Sequence, residues 1–152
     1  MLQIKYLPHY DREAFGPVGY AKPGDAGFDL KAALAAPVTL APGDITIIPA
    51  GIAVAVPEGF EMQVRSRSGL STKGVIVANA PGTVDSGYRG EVGVILTNIS
   101  REPMTIQPGD RVAQAVLAAV AHMPFHEVTE LPPSERGAGG FGSTGVSATV
   151  KA

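Results

Sequence analysis

Cysteine is absent from this chain of 152 residues. Without cysteine the protein can form neither a disulfide framework nor a thiolate metal site, which fits a reducing compartment. No run approaches the ~20 consecutive apolar residues of a membrane span, and residues 1–13 lack the apolar core of a signal peptide. We therefore expect a soluble cytoplasmic protein.

Charge is also scarce, with 17% charged residues and a formal net charge of −2. This balance provides no broad basic field for a nucleic-acid polymer, so any nucleic-acid chemistry should involve a small nucleotide. A chain of this length buries about 68% of its unfolded surface, which suits one domain with one core. A second full domain has no room.

Glycine and proline are abundant, with 19 and 13 copies, and they predict many short elements separated by turns. Runs rich in β-branched residues lie between the turns and predict strands. The Ala-rich run 112–120 could form a helix by propensity, but we interpret it as a buried strand. The predicted strands are 45–48, 52–56, 59–65, 75–78, 91–97, 104–106 and 112–120.

Segments 38–44 and 104–110 share the form apolar-Thr-apolar-x-Pro-Gly-Asp. Two similar strand-turn corners suit an all-β double-sheet sandwich, for which a jelly roll is the commonest closed solution. One short helix is predicted over 68–74, with Ser68 as its N-cap and Gly74 as its stop.

Residues 79–98 are interpreted as a β-hairpin whose bend carries Asp85. Gly87 and Gly90 could supply the positive φ of a tight turn. The strand that follows should bury Val92, Val94 and Leu96 on one face. Asp85 could be a turn former that hydrogen-bonds local N–H groups, or a base aimed into a cleft.

Arg65 and Arg67 precede the predicted helix, where guanidinium groups and free N–H groups would make an anion site. A capped helix beside surface arginines explains this stretch equally well. Arg111 and Gln114 could reach a shared cleft from neighbouring turns, and Asp29 offers a second acidic group at the start of a strand. The three histidines show no convincing zinc pattern.

Residues 131–152 have few groups to bury and are expected to form a flexible glycine-rich arm. Residues 137–142 satisfy G-x-G-x-x-G, but too little chain follows for a Rossmann unit. The loop would instead offer phosphate ligands and an aromatic ring that can stack on a base, or it is a solvated tail. The ligands would be Arg136, Ser143 and Thr144, and the ring Phe141.

Five segments in order resemble the five motifs of the homotrimeric dUTP pyrophosphatases (dUTPases): AGFDL at 26–30, RSGLSTKG at 67–74, NAPGTVDSGYRGE at 79–91, GDRVAQ at 109–114 and RGAGGFGSTG at 136–145. The resemblance implies a jelly-roll domain over 1–130 that trimerises. It also implies active sites shared by three chains, with the arm 131–152 of one chain completing a neighbouring subunit's site. The reaction would be Mg²⁺-dependent hydrolysis of dUTP to dUMP and pyrophosphate, which keeps uracil out of DNA and supplies dUMP for thymidylate synthesis.

The resemblance also implies roles for single residues. Asp85 would be the general base that activates water for attack on the α-phosphorus, and Asp29 would support Mg²⁺ through its water shell. Uracil would be read by Asn79 and by the backbone from Thr83 through Val84 to Asp85, while Tyr88 would exclude a 2′-hydroxyl. The remaining substrate contacts would be phosphate ligands Arg67, Ser68, Gly69 and Gln114, and arm residues Arg136, Phe141, Gly142, Ser143 and Thr144.

Two positions depart from the family pattern. Gly93 stands where many relatives carry a longer side chain, and Phe28 replaces a common Tyr. Two alternatives to a dUTPase are a dCTP deaminase-like enzyme of the same fold and a non-catalytic jelly-roll binding module.

Overall fold

The computed structural model of the protein describes residues 1–140. The chain divides into two units, Met1–His122 and Met123–Ala152. Every strand and helix of the described residues lies in the first unit, in the order β1 Gln3–Tyr6, α1 Arg12–Phe15, β2 Gly27–Lys31, β3 Val38–Leu40, β4 Ile45–Ala55, β5 Phe60–Arg65, α2 Ser68–Ser71, β6 Val75–Val77, β7 Gly82–Val84, β8 Glu91–Asn98, β9 Met104–Ile106 and β10 Arg111–Ala119.

The strands form two four-stranded sheets and one two-stranded sheet, and every pairing is antiparallel. Sheet one has the order β1-β4-β8-β6, sheet two has the order β2-β10-β5-β7, and β3 pairs with β9. This architecture confirms the predicted all-β jelly roll. The run 112–120 is almost entirely within strand β10, as predicted, because β10 pairs with β2 along one edge and with β5 along the other.

A single core lies between the sheets. Leu30 and Met62 of sheet two and Ile48 and Leu96 of sheet one are fully buried in it. Strand β8 buries alternate side chains, including Val92 and Val94, as the sequence predicts. Each such side chain contributes roughly 1.5–3 kcal/mol relative to an exposed position, so this alternation fixes which face of each strand is outward.

Strand β4 is one long element, and the prediction of two separate strands over 45–48 and 52–56 is wrong. Its pairing with β8 shifts register between Pro49 and Ala53. Gly51 in this bulge has φ +66°, and a Cβ there would lie 2.6 Å from the Ala33 Cβ. The bulge lets strand β4 continue through Pro49 and Gly51, where the sequence pattern predicts a break between two strands.

The two Pro-Gly-Asp corners adopt the same turn. In each, the Asp carboxylate accepts a hydrogen bond from the backbone three residues earlier, at 2.7 Å from Ala41 N to Asp44 Oδ2 and at 2.8 Å from Gln107 N to Asp110 Oδ2. The strands that lead into the corners, β3 and β9, pair with each other. The repeated sequence therefore encodes a repeated structure.

The predicted hairpin over 79–98 is wrong. Strand β7 pairs with β5 in sheet two, whereas β8 pairs with β4 and β6 in sheet one. The loop between β7 and β8 is a crossover between sheets that begins with a turn, in which Tyr88 N donates to Asp85 O at 3.1 Å. Neither Gly87 nor Gly90 has a positive φ. The loop crosses between sheets and does not need the tight turn of a hairpin.

The described residues contain two short helices, where the sequence predicted one. The missed helix α1 is capped by Asp11, whose carboxylate accepts from Ala14 N at 2.9 Å. Helix α2 begins at Ser68, but its N-cap is Arg67 and no side chain caps it. Gly74 does have the predicted positive φ, at +81°.

In the described part of the second unit, residues 123–140 contain no strand or helix, and a turn covers residues 135–138. Gly137 N donates to Ser134 O at 3.0 Å in this turn. The predicted division into a domain 1–130 and an arm 131–152 stays a prediction. Among residues 1–140, no helix has both the length and the apolar character needed to cross a membrane.

Candidate functional site

The outward face of sheet two carries several of the predicted site residues. Asp29 of β2, Gln114 of β10 and Arg65 of β5 are partners in neighbouring strands and form one row across this face. The inward positions beside them are buried, as Phe28 and Val64 show. Since side chains alternate along a strand, burial of the inner face directs this row outward.

A cluster of charges lies at that end of the sheet. Asp29 Oδ1 is 2.8 Å from Arg67 Nε, and Asp29 Oδ2 is 3.7 Å from Arg111 Nη1. Arg67 Nη1 also donates to the Arg111 carbonyl at 3.0 Å. The Asp29 carboxylate therefore lies between two guanidinium groups and keeps the two cations close together.

The charged cluster opens onto a cleft of about 330 Å³. Its wall includes the predicted ligands Asp29, Arg67, Ser68, Gly69 and Gln114, which the fold therefore brings together. No atom lies within 4 Å of the place where a side chain on Gly69 would begin. Because α2 is only one turn long, attraction of an anion comes chiefly from the arginines and little from a helix dipole.

The segment that carries Arg67 is fixed from two sides. Gln114 Nε2 donates to Ser66 O at 2.9 Å, and Val77 N donates to Ser66 Oγ at 2.8 Å. These bonds attach the turn before α2 to strands of both sheets. They give Gln114 a structural contact in addition to its place on the cleft wall.

The other predicted group lies around the end of β7. Asp85 is exposed, and within residues 1–140 its carboxylate has no hydrogen-bond or ion-pair partner. Tyr88 is 46% exposed and donates its hydroxyl hydrogen bond to Glu91 O at 2.9 Å. The Asn79 side chain lies against Gly82 at the start of β7. Thr83 faces outward, whereas Val84 is buried.

One chain does not bring these two groups together. Val84 pairs with Met62, so Asp85 continues past that end of β5, while Arg67 follows Arg65 at the opposite end. Three residue steps along a strand, from 62 to 65, span about 10 Å. The arginines and Asp85 are therefore on opposite ends of the same strand.

Two further findings concern the site residues. Arg111 was predicted to reach a shared cleft with Gln114 but was not assigned to the phosphates, and the structure places it 3.7 Å from Asp29. In the second unit, Arg136 Nε donates to Gly139 O at 2.9 Å. Phe141, Gly142, Ser143 and Thr144 lie outside the described residues.

The described residues do not build a metal site of their own. Across residues 1–140, no three or more His, Cys, Asp or Glu side chains are grouped so that they could hold a metal ion. Asp29 is the predicted metal-supporting carboxylate, and it is ion-paired with Arg67. A single carboxylate in this state fits a contact to a hydrated Mg²⁺ ion, which usually keeps several waters and binds through few carboxylates plus phosphates.

Comparison with known sequences gives consistent matches. The dUTPase family model matches residues 17–145. A deoxyuridine 5′-triphosphate nucleotidohydrolase of Desulfotalea psychrophila is 51% identical over 146 residues, which are 95% of this chain and 97% of that protein. A protein of the same name from Caulobacter vibrioides is 58% identical over 130 residues, 84% of each chain.

Solved structures agree with the sequence matches. A mutant dUTPase of Staphylococcus bacteriophage 80alpha with dUpNHpp has a TM-score of 0.83 and 27% identity, covering 96% of this chain and 99% of that one. A mutant dUTPase from phage phi11 of S. aureus, studied for the coordination of a structural Mg(II) ion, has a TM-score of 0.73 and 25% identity, covering 86% and 97%.

Proposed function

Because this chain belongs to the dUTPase family, we propose that it hydrolyses dUTP to dUMP and pyrophosphate. The observation that carries the proposal is the cleft lined by Arg67, Ser68 and Gly69, in which Arg67 is ion-paired with Asp29 and Arg111 lies 3.7 Å from the same carboxylate. A guanidinium group beside open backbone is what a chain of phosphates requires. Neither the deaminase nor the binding-module alternative has a specific observation in its favour.

Asp85 is the general base in this proposal. It takes a proton from a water molecule whose oxygen forms a bond to the α-phosphorus. The bond from that phosphorus to the oxygen bridging it to the β-phosphorus breaks, so pyrophosphate leaves and dUMP keeps the water oxygen. The exposed carboxylate, free of partners within residues 1–140, is available for this proton transfer.

Arg67 and Arg111 act on the phosphates. Negative charge moves onto the leaving pyrophosphate as the bond breaks, and preorganised cations near that charge lower the barrier. Ser68 and Gly69 line the same cleft and supply further hydrogen bonds to phosphate oxygens. Gln114 joins them from β10.

Mg²⁺ would enter with the triphosphate and meet Asp29 through water. The proposal assigns no direct protein ligand to the metal, in keeping with the lack of a grouped ligand set in residues 1–140. When bound, the ion would neutralise phosphate charge. Asp29 itself has a second role, since its carboxylate also pairs with Arg67 and lies near Arg111.

The site is completed by association of subunits. The base and the arginines lie at opposite ends of β5, so Asp85 of one chain must meet the charged cluster of another. Ile45 and Ile47, each 67% exposed on sheet one, offer apolar surface for association. We take the assembly to be the trimer that the sequence resemblance implies, with the arm of a chain closing over the site.

The nucleoside lies at the Asp85 end. Asn79 and the backbone at Thr83 and Val84 read the uracil edge, and Tyr88 packs on the deoxyribose. The edge position of β7 supports this role, since within residues 1–140 only one of its sides is paired. From the arm, Phe141 covers the base, while Arg136, Gly142, Ser143 and Thr144 meet the phosphates.

The test is pyrophosphate release from dUTP, dTTP, dCTP and UTP in parallel with Mg²⁺. Fast release from dUTP alone is expected. Asp85→Asn should keep dUTP binding and reduce turnover by about 10²-fold or more. Asp44→Asn, which retains an acceptor for Ala41 N in a remote turn, is the matched control and should keep full activity.

Three results would contradict the proposal. Uracil formed from dCTP would indicate the deaminase, and intact dUTP after prolonged incubation would indicate a binding module. Parental turnover in Asp85→Asn would remove Asp85 as the base.

A further inference from the structure

Glu91 connects the nucleoside end of the site to two distant parts of the chain. Its carboxylate oxygen Oε1 accepts a hydrogen bond from Gly51 N at 2.8 Å and lies 2.7 Å from His9 Nε2. Its backbone carbonyl accepts the Tyr88 hydroxyl at 2.9 Å. One residue thus touches the N-terminal segment, the bulge of β4 and the side chain assigned to deoxyribose recognition.

The two groups that bind the carboxylate stand on a rigid base. Gly51 has positive φ and packs so closely on Tyr10 and Ala33 that a Cβ there would lie within 3 Å of both Cβ atoms. The segment with His9 is attached to the same bulge, since Leu7 N donates to Gly51 O at 2.8 Å. The Glu91 carboxylate is therefore held by His9 and by Gly51 N, and both of these groups belong to segments joined at the β4 bulge.

Tyr88, by contrast, has little packing to define its position. Nearly half of the residue is exposed, and its ring folds over Gly90, where a Cβ would lie 2.6 Å from the ring carbon Cζ. The hydroxyl bond to Glu91 O is the hydrogen bond that its side chain makes within residues 1–140. The orientation of the ring consequently depends on where the Glu91 carbonyl is.

We propose that Glu91 and His9 are positioning residues for sugar discrimination. Their contact and the Gly51 bond, together with the pairing of Glu91 with Ala53 at the start of β8, fix the Glu91 backbone. The Glu91 carbonyl then orients Tyr88 against the 2′ position of the sugar. This inference rests on the proposed function, because it concerns the same nucleotide pocket. It adds two residues, one of them in the N-terminal segment, that do not touch the substrate.

The experiment measures selectivity between dUTP and UTP, as the ratio of kcat/KM values and, separately, as the ratio of Kd values. Glu91→Ala should lower both ratios by roughly tenfold to a hundredfold, the effect of a displacement of up to about 1 Å. Glu91→Gln keeps an acceptor for Gly51 N and should restore most of the selectivity. Tyr88→Phe should lose selectivity alone and add little when combined with Glu91→Ala.

The matched control is Asp44→Ala, which removes a comparable carboxylate-to-backbone bond far from the pocket. It should lower Tm without changing selectivity. A Glu91→Ala variant that loses stability like this control but keeps the parental ratios would overturn the inference, as would full additivity with Tyr88→Phe.

If Glu91→Ala does not fold, His9→Ala and His9→Gln are measured in its place, because Gln retains an N–H donor. Selectivity that is the same in both His9 variants and in the parent would overturn the inference. The Kd ratios also separate the two claims. A parent that binds dUTP selectively without hydrolysing it disproves the proposed reaction and leaves the positioning role measurable, whereas a parent without preference for dUTP disproves both.

Discussion

Gly51→Ala tests whether the β4 bulge depends on the absence of a side chain. Two costs are expected. An L-residue at φ +66° is disfavoured by about 1–2 kcal/mol. A new Cβ 2.6 Å from the Ala33 Cβ and 2.9 Å from the Tyr10 Cβ adds overpacking of about 1–3 kcal/mol. The free energy of unfolding should therefore fall by roughly 2–5 kcal/mol in total.

Gly59→Ala provides the matched control. Gly59 also has positive φ, at +81°, but a Cβ there would meet no atom within 4 Å. Both variants carry the backbone cost and the same entropic effect of alanine on the unfolded chain, so their difference isolates the clash. Thermal unfolding at one protein concentration should give Gly51→Ala a Tm lower by at least about 2 °C. Equal Tm values would refute the argument that close packing, and not φ alone, selects glycine here.

Three further variants test other contacts of the fold and the site. Asn98→Ala removes four hydrogen bonds of a fully buried amide, which donates two of them to the carbonyls of Leu40 and Glu102. Urea unfolding should show a free energy of unfolding lower by about 2–4 kcal/mol, and a decrease below about 1 kcal/mol would contradict this. Burial, with a smaller contribution from Tyr6, raises the pKa of Tyr10 above its ordinary value of 10.0. The stability that the protonated Tyr10 contributes is therefore complete below pH 10.0 and is lost as the pH rises through the folded-state pKa. Tyr10→Phe should therefore flatten the alkaline fall in stability measured by denaturant, and an unchanged fall would exclude Tyr10 as its source. Arg67→Lys cannot make both guanidinium contacts and should reduce kcat/KM for dUTP by roughly tenfold or more in steady-state kinetics, whereas parental kinetics would contradict the assigned role.

The sequence predicts local structure well where the determinant is itself local. The Pro-Gly-Asp corners are an example, because proline, a glycine of positive φ and a carboxylate that accepts from the backbone are all within four residues. The face of β8 is another, because its burial follows the alternation of Val92, Val94 and Leu96. Neither feature needs knowledge of a distant partner.

Predictions that required a choice of partner were less successful. The residues around Asp85 suit a hairpin by composition, yet β7 and β8 join different sheets. The choice depends on which distant strands leave an open edge, and that information is not in the loop. The predicted break in β4 is wrong for a related reason. At the bulge Gly51 N donates its hydrogen bond to the carboxylate of Glu91, a residue 40 positions away in the sequence.

In the site, too, the sequence predicts single residues better than it predicts which residues lie close together. Asp29, Arg67, Ser68, Gly69 and Gln114 were predicted from separate motifs, and the fold places all five on one cleft. Their convergence follows from the strand order of sheet two, with β10 between β2 and β5. Arg111 was predicted to share a cleft with Gln114 but was given no role at the phosphates, since only the three-dimensional arrangement shows it beside Asp29.

The separation of Asp85 from the arginines is the feature of the site that no local pattern could have predicted. Adjacent phosphorus atoms of a triphosphate are linked through one oxygen, so a base acting at the α-phosphorus must lie close to cations that bind the other phosphates. Strand β5 separates Asp85 from Arg67 by at least three residue steps within a chain, about 10 Å. Both groups lie on one outward face of the chain but at opposite ends of β5, and in the proposed mechanism a second chain brings the arginines to the base.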